Sequence, residues 1–427
     1  MRCFHHILLC LFALLLAGCA SVFDAPYEEL QTESPEAVFD PHPVVEVKEG
    51  DLFEMIEMPQ PDKVHYQDIW DRIRQGFKVA ELDKDPQVNR SARRFASEKF
   101  LDHTAQRAAN LLFYVVEEVD ARKLPMELVL VPFVESGYTL EAKSQAEAHG
   151  AWQFIENTAR TYELNIDRFR DERRSLIAST RAALDYLNML HGMFDSWPLA
   201  MAAYNCGEKR IQAEINRAKL RGIKKPGFND LAPFLPPETR DYVPRILALK
   251  KLIADPAAFK AVLPPIENAS RHTVVEMHRD IDVSLVAQLA GLKLTEFLAL
   301  NPSLQAPIII GSNHTQLLLP HAAALQLAIR MGSYQGTWVS WRLIRITRPT
   351  SPGELARRNN VPAKLIAQVN PLPEGHSYAV GATLLIPLKS NQIAEEIPQQ
   401  LARGASLLTH GAGQTQKAPN AALDTRR

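Results

Sequence analysis

The sequence predicts a mainly α chain, with a helical central domain followed by two small α+β modules. Between Leu101 and Phe259 the alternation of a half-buried strand is scarce, whereas apolar residues recur at helical spacing. Past Pro264-Pro265 the composition shifts and one stretch returns in a second copy. Each copy is preceded by an alternating, strand-like run, Thr273 to Met277 and Trp341 to Ile346.

A length of 427 residues, 46% hydrophobic and 23% charged, suits two to four globular domains. Lys plus Arg number 48 against 49 Asp plus Glu, so the net charge of -1 excludes nucleic acid as an electrostatically driven partner. No cofactor and no metal is expected.

Arg2 precedes the apolar run Ile7 to Leu16, which ends in Leu16-Ala17-Gly18-Cys19. The run is too short to span a bilayer stably but suits the core of a secretory signal, so export is expected. The segment resembles a bacterial lipoprotein signal, which implies acylation of Cys19 as the first mature residue; a plain signal cut nearby is the alternative. Ala20 in place of Asp implies the outer membrane, with the protein on its periplasmic face. Cys3 and Cys10 leave with the signal and only Cys206 stays free, which rules out an intramolecular disulfide in the mature chain. No spacing pairs Cys206 with His149 or His191 as a nucleophile and base, and a small buried filler is the expected role.

From Ser21 to about Pro61 no period is sustained and the chain reads as a tether. Ile69 to Phe77 and Val88 to Val119 read as helices, with Leu111, Leu112, Val115, Val116 and Val119 on one face. The run Leu124 to Tyr138 follows, opened by Pro125 in a helical first turn and stopped by Ser136-Gly137. Glu135 stands at its end, half in protein and half in a cleft, where burial raises the pKa and makes a proton donor near neutral pH. A plain helix-end cap is the competing role.

Two further segments converge on Glu135. In Ala148 to Ile155, Gly150 permits close backbone approach and Gln153 both donates and accepts hydrogen bonds, with a helix over Thr158 to Leu164. Thr180 to Phe194 reads as a structural helix. Another enters through Asp195-Ser196-Trp197-Pro198 and leaves through Gly207, with Ala203-Tyr204-Asn205 in its last turn, where a flat ring and polar tips suit a sugar.

Glu135-Ser136, Gly150 with Gln153-Phe154, and Ala203-Tyr204-Asn205, in that order, resemble the signature motifs of the lysozyme-like lytic transglycosylase domain. With Asp171-Glu172-Arg173-Arg174, Ser179-Thr180, Gly207-Glu208 and Leu235 to Pro244, the pattern is similar to the membrane-bound lytic murein transglycosylase D family. The resemblance implies cleavage of peptidoglycan glycan strands between N-acetylmuramic acid and N-acetylglucosamine without water, giving 1,6-anhydromuramic ends. It implies Glu135 as the catalytic acid and then base, with Ser136, Gln153, Tyr204 and Asn205 placing the sugars. A hydrolytic muramidase of the same fold and a silent peptidoglycan-binding scaffold are the alternatives. Glu147, Cys206, Lys209 and Ser175 depart from the family pattern, which has Gly, Ser, Gly and Asp there.

Val286 to Pro302 aligns without gaps on Leu355 to Pro371, setting Asn301 against Asn370 at an offset of 69 residues, and Leu317 to Pro320 matches Leu384 to Pro387. The order strand, helix, helix, strand resembles LysM, which implies N-acetylglucosamine-containing glycans as ligand. The first copy is degenerate, and Arg348 to Ser351 replace the usual first loop of the second. Packing without glycan binding is the alternative for both. The expected organisation is a signal peptide (1–18), a tether (19–61), a helical extension (62–99), the catalytic domain (100–265), LysM-like modules (270–322 and 338–389) and a disordered tail (390–427). Protein partners are not indicated.

Overall fold

The structure, a computed structural model, describes residues 52–56, 66–372, 375–388, 397–398 and 400–402. The signal segment, Cys19 and most of the tether lie outside the described residues.

Local capping signals divide the helical half. Asp68 accepts from the Trp70 amide and starts α1 (Ile69–Gln75), and Asp85 followed by Pro86 starts α2 (Pro86–Ser97). The helix expected over Val88 to Val119 is three helices. Lys99 turns left-handed at φ 51 before α3 (Phe100–Ala108), and the chain turns again before α4 (Leu112–Ala121). Phe95 stacks on Phe100 across the first break, with centroids 4.6 Å apart, so packing holds the corner. The apolar run is a 3-10 turn, Met126–Leu130, capped by Pro125, and continues as α5 (Val131–Glu135). Then come α6 (Glu156–Thr161), α7 (Leu176–Phe194), α8 (Trp197–Cys206), α9 (Glu208–Leu220), α10 (Phe228–Leu231) and α11 (Pro237–Ala254). The helix expected over Thr158 to Leu164 ends early, because Glu163 turns left-handed at φ 60.

These elements share one core. Leu128 to Val131 are fully buried among Val115, Val116, Leu184, Leu187, Ala200 to Ala203 and Val243, each large aliphatic contributing about 1.5–3 kcal/mol of transfer free energy. The run is too apolar for a surface because it lies inside, and its C-terminal end carries the half-buried Glu135.

The C-terminal part follows as β2 (His272–Met277), β3 (Ile281–Asp282), α12 (Val283–Leu289), α13 (Leu294–Leu300), β4 (Ile308–Ile309), β5 (Thr315–Pro320) and α14 (His321–Ser333). The second copy is β6 (Trp341–Arg345), α15 (Pro352–Asn359), α16 (Ala363–Val369) and β7 (Thr383–Pro387). In each, the outer strands pair antiparallel, Val275 opposite Leu317 and Leu343 opposite Leu385. Asn301 donates to the Phe297 and Leu318 carbonyls and accepts from the Leu318 amide, while Asn370 does the same with Ile366 and Leu385. Both are buried, so the aligned asparagines are matching pins between second helix and last strand.

Two expectations are corrected. Within the expected tether, β1 (Phe53–Ile56) pairs antiparallel with β2, Met55 opposite Val275, because β2 has a free edge that its other partner, β5, does not cover. Within the expected disordered tail, Leu401 is buried in the first repeat's core, and Gln400 donates to the Asn301 and Leu304 carbonyls at 3.3 Å.

The loop before α7 ties the two parts together. Arg168 is buried and reaches Asn370 Oδ1 at 2.5 Å and the Thr383 carbonyl at 2.5 Å, with burial lowering its pKa to about 10. It stays charged at neutral pH, and Arg170 donates to the Asn313 carbonyl at 2.6 Å.

Candidate active site

Glu135 ends α5 where the chain must turn, at Gly137 with φ +58. Its Oε1 accepts from the Tyr242 hydroxyl at 2.5 Å. Burial pushes the carboxyl up to about 7, assisted by the charge of Glu238 and opposed by the Tyr242 hydrogen bond and Arg245. Near neutral pH the group is thus divided between donor and acceptor forms, the condition for serving as acid and base in turn.

The Gly150 segment is fixed from below. Gly150 has φ +83, and a Cβ there would lie 1.8 Å from the Arg173 carbonyl oxygen, so glycine is required twice over. Arg173 is held by Asp171 through two 2.8 Å hydrogen bonds and donates to the Glu147 carbonyl. The Asp171 to Arg174 motif therefore supports the Gly150 segment. Trp152, fully buried, donates to Thr180 Oγ1 at 2.9 Å, which ties the segment to α7. Gln153 Nε2 donates to the Gly150 carbonyl, leaving its oxygen as an acceptor. Ser136 acts as a strut, its hydroxyl donating to the Ala151 carbonyl at 2.9 Å and accepting from the Thr139 amide.

On α8, Ser196 and Pro198 set the start and Gly207, at φ 90, ends it. Tyr204 donates to the Trp152 carbonyl at 2.8 Å, and burial, then the charge of Glu135, raises its pKa. Asn205 Oδ1 accepts from Thr239 at 2.7 Å. Glu135, Ser136, Gln153, Tyr204 and Asn205 thus fall into one connected group.

Sequence reasoning missed two parts of this group. Thr239 and Tyr242, one turn apart on α11, hold Asn205 and Glu135 respectively; Leu235 to Pro244 contained them, but a helical period assigns no role to a buried hydroxyl. The second is a row of rings, Tyr162 to Tyr186 at 4.9 Å and Tyr186 to Tyr204 at 5.4 Å, contributed by three separated segments. Glu208 accepts from Tyr186 at 3.1 Å.

Two of the departures, Glu147 and Ser175, have local explanations. Glu147 sits at φ 59, a left-handed position that favours glycine, and its exposed carboxylate pairs with Lys143 at 2.8 Å. Ser175 caps α7 by accepting from the Ala178 amide, a task Asp does equally well. Of the bases weighed for Cys206, His149 hydrogen-bonds Arg174 and is held neutral by burial, then by Arg173 and Arg174, with its pKa near 4. His191 stacks on Trp197 at 4.1 Å. Nothing in the structure explains Lys209.

Residues 116–226 match the transglycosylase SLT domain family. The match includes Glu135, the Gly150 segment and α8, so this part of the helical half is similar to transglycosylase SLT domains. The chain is a relative of membrane-bound lytic murein transglycosylase D from Escherichia coli (strain K12), 29% identical over 357 residues that cover 80% of this chain and 78% of the relative. A putative tributyltin chloride resistance protein from Alteromonas sp. (strain M-1) is 41% identical over 114 residues, covering 26% of this chain and 55% of that one. Among solved structures, an inactive mutant of lytic transglycosylase Slt from Pseudomonas aeruginosa matches 36% of this chain and 25% of its own at 22% identity, with a TM-score of 0.28. The 70 kDa soluble lytic transglycosylase of Escherichia coli matches 47% of this chain and 44% of its own at 15% identity, with a TM-score of 0.27.

Proposed function

We infer that the chain is a lytic transglycosylase that cuts the glycan strands of peptidoglycan between N-acetylmuramic acid and N-acetylglucosamine and leaves 1,6-anhydromuramic ends. The observation that carries the reading is the half-buried Glu135, with its pKa near 7, set among Tyr242, Tyr204, Asn205 and Gln153. Protonated Glu135 gives its proton to the glycosidic oxygen as the bond to the anomeric carbon breaks. The carboxylate then takes the proton of the muramic 6-hydroxyl, whose oxygen bonds to the anomeric carbon and closes the ring. Donor and acceptor are one group, and the 6-hydroxyl of the substrate takes the place of water as nucleophile. The partly exposed rings of Tyr204 and Tyr162, backed by the buried Tyr186, offer sugar-stacking faces, and the Gln153 oxygen and Asn205 amide offer polar contacts.

Glu238 is a carboxylate whose charge Glu135 feels, and it gives the hydrolytic alternative a candidate for activating water. It is exposed at the start of α11, a poor place from which to hold a water against a buried sugar.

The two βααβ units are proposed as LysM-like modules (270–322 and 338–389) that hold N-acetylglucosamine-containing glycan beside a catalytic domain over 100–265. Acylated Cys19 is proposed as the tether's anchor on the periplasmic face of the outer membrane; several acyl chains at about 0.8 kcal/mol per buried methylene suffice for stable attachment. Digestion of purified sacculi tests the activity. The full chain should release soluble muropeptides, and Glu135→Gln should do so slower by at least about 10²-fold while still binding sacculi. An undiminished rate in Glu135→Gln rejects the reading.

A further inference from the structure

Away from the cleft, the first repeat brings three metal-ligating side chains to one point. Glu276 lies near the end of β2 and His278 two residues on, and an interval of two returns to the same strand face. His314 immediately precedes β5, in a left-handed turn at φ 48. His278 Nε2 lies 3.3 Å and His314 Nδ1 3.1 Å from the same atom, Glu276 Oε1, and all three ligand atoms lie within 4.8 Å of one another. Bonds of about 2.0–2.1 Å to a tetrahedral Zn2+ put neighbouring ligand atoms roughly 3.3 Å apart. Two of the three ligand–ligand distances already have that length.

The surroundings suit an ion as well. The second carboxylate oxygen of Glu276 accepts from Gln316 Nε2 at 2.9 Å, and Gln316 Oε1 accepts from Arg181 of α7 at 3.3 Å. This outer chain orients the carboxylate and leaves Oε1 for the ion. His314 is exposed, and with Gln316 it lines a cavity of about 200 Å³ between the first repeat and the helical domain, which gives an ion its approach. Two imidazoles and a carboxylate form a borderline N/O set with room for water as the fourth ligand.

We propose that Glu276, His278 and His314 form a Zn2+ site that clips the turn before β5 to the end of β2. The site takes no part in glycan cleavage. Through Gln316 and Arg181 it stiffens the contact between the first repeat and the helical domain. The full chain, made without a histidine tag and stripped of metal, is titrated with Co2+ and then Zn2+. One equivalent of Co2+ should give the visible absorption of a low-coordinate N/O site, Zn2+ should displace it, and Tm should rise. His314→Ala, which keeps the fold because the side chain is exposed, should weaken Zn2+ binding at least tenfold, and Gln316→Ala by about 10-fold or more, with sacculus cleavage retained. Absence of saturable one-equivalent binding in the wild-type chain overturns the site, as does unchanged affinity in His314→Ala.

Discussion

The Tyr242 hydroxyl donates to Glu135 Oε1 at 2.5 Å, across 107 residues of sequence. The bond favours the carboxylate and so limits how far burial lifts the pKa. Tyr242→Phe therefore moves the alkaline limb of the pH–rate profile upward from about 7, by about one to two units, since a hydrogen bond to a charged group is worth about 1.5–3 kcal/mol and one unit corresponds to about 1.4. Initial rates on sacculi from pH 5 to 9 decide this; an unmoved limb means that Tyr242 does not govern the proton.

The same burial costs stability. With a pKa of about 7 in the fold against 4.5 when free, the native state binds more protons than the unfolded chain between those values, so this group's contribution falls as pH rises through the window. Glu135→Gln removes the titration. It should be more stable than wild type by up to about 3 kcal/mol above pH 7, with the difference fading towards pH 4.5. Urea unfolding at pH 5 and pH 8 checks it.

Gly150 and Glu147, on one loop, predict opposite outcomes. Gly150→Ala drives a methyl into the Arg173 carbonyl at positive φ, so it should abolish activity and destabilise by about 2 kcal/mol or more. Glu147→Gly relieves a left-handed residue at φ 59 and should stabilise by up to about 1 kcal/mol without changing cleavage. Thermal melts and sacculus turnover of the two variants measure both effects.

Asn370→Ala leaves the Leu385 amide and carbonyl and one Arg168 contact without partners inside the second repeat. Each buried group left unpaired costs about 1–3 kcal/mol, so the repeat should loosen first. Hydrogen exchange at Leu385 should accelerate strongly while amides of Val243 to Leu249 stay protected. Equal acceleration in both regions would show that the parts unfold together.

Much of this was legible in the sequence because it is local or repeated. Ser196-Trp197-Pro198 and Gly207 bound α8 by capping chemistry, and the aligned Asn301 and Asn370 announce one unit used twice. Glu135 was legible because an apolar run that ends in a carboxylate implies a buried acid. What escaped depends on distant partners. β1 becomes a strand only beside β2, about 220 residues later, and Tyr242 acquires its role only where α11 crosses the end of α5. The Glu276, His278 and His314 cluster needs the β2–β5 register before its spacing means anything. The break at Lys99 is a left-handed residue of a type that gives no warning, held by Phe95 on Phe100.

The most direct test of the central claim is the mass of the products released from purified sacculi. Bond cleavage with ring closure by the muramic 6-hydroxyl predicts 1,6-anhydromuramic ends, lighter by one water than reducing ends and without incorporated label when the digestion is run in H2 18O. Reducing ends carrying that label would contradict the account and make Glu135 the acid of a hydrolase.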